Sequence, residues 1–233
     1  MHPSSLKNAE AFFSVYAKKM HSPTIVDIGA QDVNGSLRQV APSACNYIGV
    51  DFAVGKGVDV VLDNPYKLPF EDNSIDIVIS NSCFEHSEMF WLLFLEVMRV
   101  LKPSGLFYLN APSNGPFHRY PVDCWRFYPD SGNALVNWAR MNKIDAVLME
   151  SYVSKQYKRI WNDYVAIFLK DKSLIELYDN RITDSKMDFY NGIRGDSTDL
   201  LKFRVHPQSY SSFLHNIKSY LLNRFTFLDF LKF

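Results

Sequence analysis

The chain contains no run of about eighteen uncharged apolar residues, so no membrane-spanning helix is expected. Neither sign of charge dominates: 25 lysines and arginines stand against 25 aspartates and glutamates, which leaves no basic footprint for nucleic acid. Nucleic-acid binding is therefore not expected. Cysteine is scarce, with only Cys45, Cys83 and Cys124, widely spaced and without a Cys-x-x-Cys pair. That pattern argues against a disulfide framework and a zinc site, and it suits a cytoplasmic protein. No basic segment leading into an apolar run opens the chain, so no secretory leader is expected. Glycine is sparse at one telling place: after Gly29 the next is Gly35.

What is present is the alternation of an α/β protein. At 233 residues the chain suits one such domain with an appendage. Short apolar runs at residues 24–28, 47–51, 58–62, 75–80, 105–110, 146–151 and 163–169 predict seven strands. Helical spacing of Leu6, Ala9, Phe12, Phe13, Tyr16 and Met20 predicts an amphipathic helix over residues 5–20. A second is expected over residues 87–101, ended by Lys102-Pro103-Ser104-Gly105, and a third over 133–141. Helices alternating with strands imply a Rossmann-like, mostly parallel seven-stranded sheet flanked by helices, occupying residues 1–170.

Residues 171–233 leave this pattern and are expected to form a C-terminal helical extension. Tyr210, Phe213, Leu214, Ile217, Leu221, Phe225 and Leu228 fall on one helical stripe. Packing on the domain, over the acceptor or in a homodimer takes precedence over a membrane-surface helix, because the flanking charges Lys218, Arg224 and Lys232 are few.

A candidate crevice lies at the ends of the first strands. Asp27-Ile28-Gly29-Ala30-Gln31-Asp32 follows the apolar Ile25-Val26, and Asp51 closes the second strand about twenty residues later. A glycine there lets the backbone turn tightly under a ligand, and the later carboxylate suits the two hydroxyls of a ribose. Phe52 and Tyr66 are placed to flank a purine ring, with Asn64 on its polar edge. A dinucleotide frame begun at Gly29 needs glycines at Gln31 and Asn34, which counts against NAD. The bland alternatives are that Asp27 caps a helix and that Asp51 only ends a strand.

In order and spacing, Val26-Asp27-Ile28-Gly29-Ala30, Tyr47-Ile48-Gly49-Val50-Asp51, residues 68–80, Phe84-Glu85-His86 and residues 96–106 resemble the class I S-adenosylmethionine-dependent methyltransferases, in particular their small-molecule branch. The resemblance spans roughly Ile25 to Trp138. It implies S-adenosylmethionine as cofactor, with Asp27 and Gly29 bordering its methionine part and Ala30 and Gln31 of the same turn also binding it. It further implies Asp51 at the ribose, the Asp63-Asn64 turn at the adenine, and Ser80 and Asn81 beneath the sulfonium. The sequence departs from the family at Gln31 and Val33, where glycines are common; a β-branched valine resists positive φ, so this turn must take another path.

Methyl transfer to a hydroxyl requires alignment, exclusion of water and removal of one proton. An imidazole, with an ordinary pKa of about 6.5, accepts a proton near neutrality. His86 follows the fourth strand, and His118 sits in the proline-rich loop of residues 112–130. Glu85 is adjacent to His86 rather than a helical turn away, so it need not orient that ring. Arg119, Tyr120, Asp123, Trp125 and Arg126 make the loop a candidate acceptor lid; the competing reading is a rigid connection with its aromatics packed and its charges paired. No metal site is assigned, because Asp123 and Asp130 form no recognisable ligand set. The expected function is methyl transfer to a small polar acceptor, a sugar or glycan hydroxyl first. A non-catalytic cofactor-binding or scaffolding domain is the alternative.

Overall fold

Strands β1 (Thr24–Ile28), β2 (Asn46–Asp51), β3 (Val60–Val61), β4 (Ile75–Asn81), β5 (Leu101–Pro112), β6 (Val147–Ser154), β7 (Asp163–Leu169) and β8 (Phe189–Ile193) form one sheet. Their spatial order is β3-β2-β1-β4-β5-β7-β6-β8. The computed structural model describes residues 3–155, 161–185 and 187–205. β1 to β5 run parallel, whereas β7 pairs antiparallel with β5 and with β6, and β8 pairs antiparallel with β6. The order reverses at β1, which lies between β2 and β4, and an open α/β sheet takes its ligand at such a reversal.

Strand alternation explains why both faces are covered. Val26, Val78, Phe107, Leu109, Ala166 and Phe168 point into a core closed by α2 (Phe90–Val100) and α3 (Ser131–Met141). Ile25, Ile77, Ile79, Leu106, Tyr108, Val165 and Ile167 point the other way, against α1 (Pro3–Phe12) and the π-helical turn Phe13–Ala17. Near-continuous apolar runs are what strands buried on both faces require.

Four expectations are corrected. The sheet has eight strands, not seven, because Phe189–Ile193, all five residues buried, adds to β6; Asn191 and Gly192 inside it disguise it as a loop. The compact unit accordingly runs to Lys202 rather than ending at residue 170. Glu150, fully buried on β6, ties the chain after β7 to the sheet: it accepts hydrogen bonds from Tyr16 Oη (2.7 Å), Ile182 N (2.6 Å) and Thr183 N (2.9 Å). β5 begins at Leu101, through the expected breakers Pro103 and Gly105, and a register shift between Ile75 and Ile77 of β4 accommodates the irregularity. Finally, the alternative role for Asp27 as a helix cap falls away, because the β1–β2 loop contains only the 3-10 turn Leu37–Gln39. The expected helical stripe of residues 210–228, with its dimer and membrane readings, lies outside the described residues. Among the described residues no helix is long and apolar enough to cross a membrane.

Candidate active site

A cleft of about 380 Å³ opens at the carboxyl ends of β1, β2, β4 and β5, within the size range of small-molecule sites, about 300–1,000 Å³. Its floor is set by Gly29, held at φ +81; a Cβ there would come within 2.6 Å of the Cys83 Cβ. Gly29 N and Ala30 N both donate to Val50 O, at 3.0 and 3.2 Å, drawing the end of β1 over β2. Only a glycine gives both the left-handed backbone and the close approach. Valine at this position is expected to cost about 3 kcal/mol or more, combining strain and overpacking, and to lower Tm by roughly 5–15 °C. Gly195→Ala is the control, because Gly195 also has positive φ (+57) but a Cβ added there would meet nothing within 4 Å. Thermal unfolding of the two variants checks this: equal shifts would contradict the packing against Cys83.

Asp27 and Asp51 form the acidic side of the cleft. Asp27 is buried on β1 and accepts a 2.6 Å hydrogen bond from Tyr47 Oη. Burial pushes its carboxyl up to about 6, opposed by the Tyr47 hydrogen bond and the Arg38 charge. Asp51 ends β2 and accepts from Gln31 N (3.3 Å) and Ala53 N (3.2 Å). Gln31 also reaches across the cleft mouth, where its Oε1 accepts a 3.1 Å hydrogen bond from Tyr120 Oη. The exposed Phe52 ring joins the same wall, as do Ala30 and Asn81.

Three expected cofactor residues stand elsewhere. Ser80 is fully buried below the cleft and donates from Oγ to Ile28 O at 3.2 Å. Asp63 and Asn64 lie off the wall, which Leu62 and Pro65 supply instead; Asn64 Oδ1 accepts from Tyr66 N at 2.9 Å and so closes its own turn.

The loop after β5 divides its residues between scaffold and cleft. Arg126 makes a two-armed pair with Asp123, Nη1 to Oδ1 at 2.6 Å and Nη2 to Oδ2 at 2.8 Å. This pairing, helped by the backbone bond from His118 N, holds the Asp123 carboxyl down at about 2. Trp125 packs edge-on to Phe90 and Trp91 and donates from Nε1 to Ser87 O at 3.0 Å. Cys124 N and Trp125 N both donate to Glu85 O. Asp123, Trp125 and Arg126 therefore build the loop and stand outside the cleft lining, whereas His118, Arg119 and Tyr120 line it.

His86 and His118 meet edge to face, ring centroids 5.0 Å apart, and the Trp161 ring stands 5.1 Å from His118. His86 Nδ1 makes a short contact with Val122 O, so Nδ1 carries the hydrogen and Nε2 keeps its lone pair. Burial lowers the pKa of His86, against the raising effect of the Val122 bond. Despite being its sequence neighbour, Glu85 does approach the ring, with Oε1 3.7 Å from Nε2. Glu85 is 1% exposed, burial pushes its carboxyl up to about 8, and its Oε2 has no hydrogen-bond partner. One donor atom each from Glu85, His86 and His118 lie within 4.8 Å of one another, a set able to hold a metal ion. Cys83, pushed up to about 12 by burial first and Glu85 second, stays a thiol.

Sequence reasoning missed Glu85 as a cleft residue, and also Trp161 and Asp163. Asp163 opens β7, is buried, and its carboxyl is raised to about 6 by burial. An aspartate beginning an otherwise apolar strand was the available signal. For Trp161 there was none, since its place depends on Gly115 (φ +116), where a Cβ would come within 2.1 Å of the indole ring.

Fold and cleft together define a Rossmann-like α/β protein with a nucleoside-sized pocket at its strand-order reversal. Residues 26–109 match the family described as a methyltransferase domain. The matched stretch runs from β1 into β5 and includes the Gly29 turn, Asp51 and the Glu85–His86 corner, so this part of the chain is similar to a methyltransferase domain, for which S-adenosylmethionine is the implied cofactor. The pocket suits that group: the glycine turn leaves room above β1, and a carboxylate stands at each of the two strand tips. No curated protein matches the chain. Among solved structures, it is similar to the Burkholderia thailandensis 1,6-didemethyltoxoflavin-N1-methyltransferase with bound 1,6-didemethyltoxoflavin and S-adenosylhomocysteine (15% identity, 72% of this chain and 79% of that one, TM-score 0.55). It is also similar to the YcgJ protein of Bacillus subtilis (14% identity, 71% and 99%, TM-score 0.52). A third likeness is to the Haemonchus contortus phosphoethanolamine N-methyltransferase 2 in complex with phosphomonomethylethanolamine and S-adenosylhomocysteine (14% identity, 71% and 53%, TM-score 0.51). At these identities the likeness is one of fold.

Proposed function

We propose that the chain transfers the methyl group of S-adenosylmethionine to a hydroxyl of a small polar acceptor, a sugar or glycan unit. The observation that carries this reading is the sharing of one cleft by the Gly29 turn and Asp51 on one side and by His86 and His118 on the other. When bound, the cofactor supplies an electrophilic methyl carbon on a positively charged sulfur. Asp51 takes the ribose hydroxyls, Asp27 faces the cationic methionine end, and the adenine lies against Phe52, Leu62 and Pro65. On the acceptor side, aromatic faces from Tyr120 and Trp161 and polar groups from Arg119 and Asp163 suit a ring that carries hydroxyls. The Glu85–His86–His118 corner receives the reacting hydroxyl. As the new oxygen–carbon bond forms, the electron pair of the sulfur–carbon bond returns to sulfur and the hydroxyl proton passes through this corner to solvent water.

The test is product formation with labelled S-adenosylmethionine and a panel of free sugars, nucleotide sugars and short glycans, with a phosphorylated amine as comparison. Methylated sugar is the expected product. Methylation of the amine alone would overturn the hydroxyl assignment, and no methylation across the panel would overturn the sugar class.

Asp27 gives a pH dependence with a definite sign. Its carboxyl is raised in the fold from 3.8 to about 6, so this group's contribution to the stability of the ligand-free fold is full below 3.8 and lost as pH rises through about 6. A cationic ligand needs the ionised form, so its binding moves in the opposite direction. Cofactor Kd is expected to be flat above about pH 7 and to rise toward about tenfold per pH unit below 6. Titration calorimetry across pH 5–8, with Asp27→Asn as reference, checks it: the same slope in both proteins would remove Asp27 from this role.

A further inference from the structure

We propose that Glu85, His86 and His118 bind a divalent first-row transition-metal ion, whose open positions take the acceptor's oxygen. Two imidazoles and one carboxylate are a donor set that such ions use when they keep sites open for water or substrate. Three features of this corner go beyond the mere presence of the residues.

The first is the carboxylate. Glu85 is 1% exposed and its Oε2 has no hydrogen-bond partner. Arg126, the cation that influences it, has both terminal nitrogens engaged with Asp123 and nearby backbone oxygens. A buried carboxyl oxygen without a donor is costly, and a bound cation removes that cost.

The second is the orientation of the rings. His86 Nδ1 is taken by Val122 O, while His118 Nδ1 lies 3.3 Å from Pro116 O and 3.4 Å from Asp123 Oδ2. Each ring thus has a backbone carbonyl at Nδ1, and His118 has a carboxylate there as well. This is the outer support that metal-binding histidines have, and it leaves Nε2 as the donor.

The third is distance. One ligand atom from each of the three residues lies within 4.8 Å of the others. With metal–donor distances of about 2.0–2.2 Å, opposite ligands stand about 4.4 Å apart, so a small rotation of the partly exposed His118 ring completes the set.

The role of the ion rests on the proposed methyl transfer to a hydroxyl. Coordination lowers the hydroxyl pKa, the proton passes to solvent water, and the oxygen attacks the methyl carbon while sulfur keeps the bonding pair. His86 and His118 then act through the ion and do not take the proton themselves.

The test uses the full chain and Co²⁺ as probe. One Co²⁺ per chain with visible absorption bands is expected. His118→Ala should weaken Co²⁺ binding by more than the about 10–100-fold that loss of an outer support costs, while S-adenosylhomocysteine still binds and so reports an intact fold. Failure to bind Co²⁺, or equal affinity in both proteins, would overturn the proposal. The unsubstituted chain loaded with Cu²⁺ gives a second readout by electron paramagnetic resonance: coupling to two imidazole nitrogens supports the site, and coupling to fewer overturns it. Metal binding without methylation of any acceptor would sink the transfer reading and leave the site standing. Full turnover of the chelator-treated chain would remove the ion from catalysis and leave the transferase reading intact.

Discussion

Replacing His86 or His118 by alanine is expected to lower methyl-transfer turnover by about 10²–10⁴-fold, the range associated with losing assistance to proton removal, whether the ring gives it directly or through an ion it holds. Affinity for S-adenosylmethionine should stay near that of the unsubstituted chain. The reason is spatial: both rings stand at the corner formed by Glu85 and the β5 loop, whereas the cofactor's ribose is assigned to the opposite side, at Asp51. Their edge-to-face contact at 5.0 Å makes the rings neighbours, so the double variant should lose little more than the worse single one. Turnover and calorimetry together check the split. Two variants with full turnover would remove the imidazoles from the chemistry, and two variants that lose the cofactor would move them into its seat. A free base and a metal ligand give the same loss of rate, and metal content separates them.

The second large effect falls on the cofactor side. Asp51→Ala is expected to raise the dissociation constant of S-adenosylmethionine by roughly 10–100-fold, from the about 1.5–3 kcal/mol attached to hydrogen bonds that involve a charged group. Asp51 is nearly buried, so that its charge is little screened, and two backbone N–H groups from Gln31 and Ala53 hold its carboxylate in place. Asp51→Asn keeps the shape while removing the charge and should fall between alanine and the native residue. Affinity unchanged in Asp51→Ala would place the ribose elsewhere.

Much of the parallel half of the sheet was legible because its strands are short apolar runs that end in informative residues. Asp27, Gly29 and Asp51 sit at the ends of β1 and β2, where periodicity and strand-end chemistry agree, and all three line the cleft. The missing glycines at Gln31 and Val33 predict a turn without positive φ at those positions, and there only Gly29 and Gly35 take it. Legibility was lost where an element is too short to set a register. β3 has only two residues, and the wall beside it is made by Leu62 and Pro65, the immediate neighbours of Asp63 and Asn64.

Long-range packing was the other blind spot. Glu85 reads only as a neighbour that need not orient His86; its burial goes with the distant loop residues Cys124 and Trp125, whose N–H groups bind its carbonyl. Trp125 and Arg126 read as acceptor groups ahead of scaffold, and it takes their partners Ser87 and Asp123 to show them holding the loop together. β8 escaped notice because Asn191 and Gly192 interrupt a strand whose burial comes entirely from its pairing with β6.

The most direct measurement is a crystal structure of the full chain with S-adenosylhomocysteine bound. The ribose hydroxyls should lie on Asp51, the amino-acid end beside Asp27 and Gly29, and the sulfur should face the corner of Glu85, His86 and His118. A ligand seated outside this cleft, or one whose sulfur points away from the two imidazoles, would contradict the account.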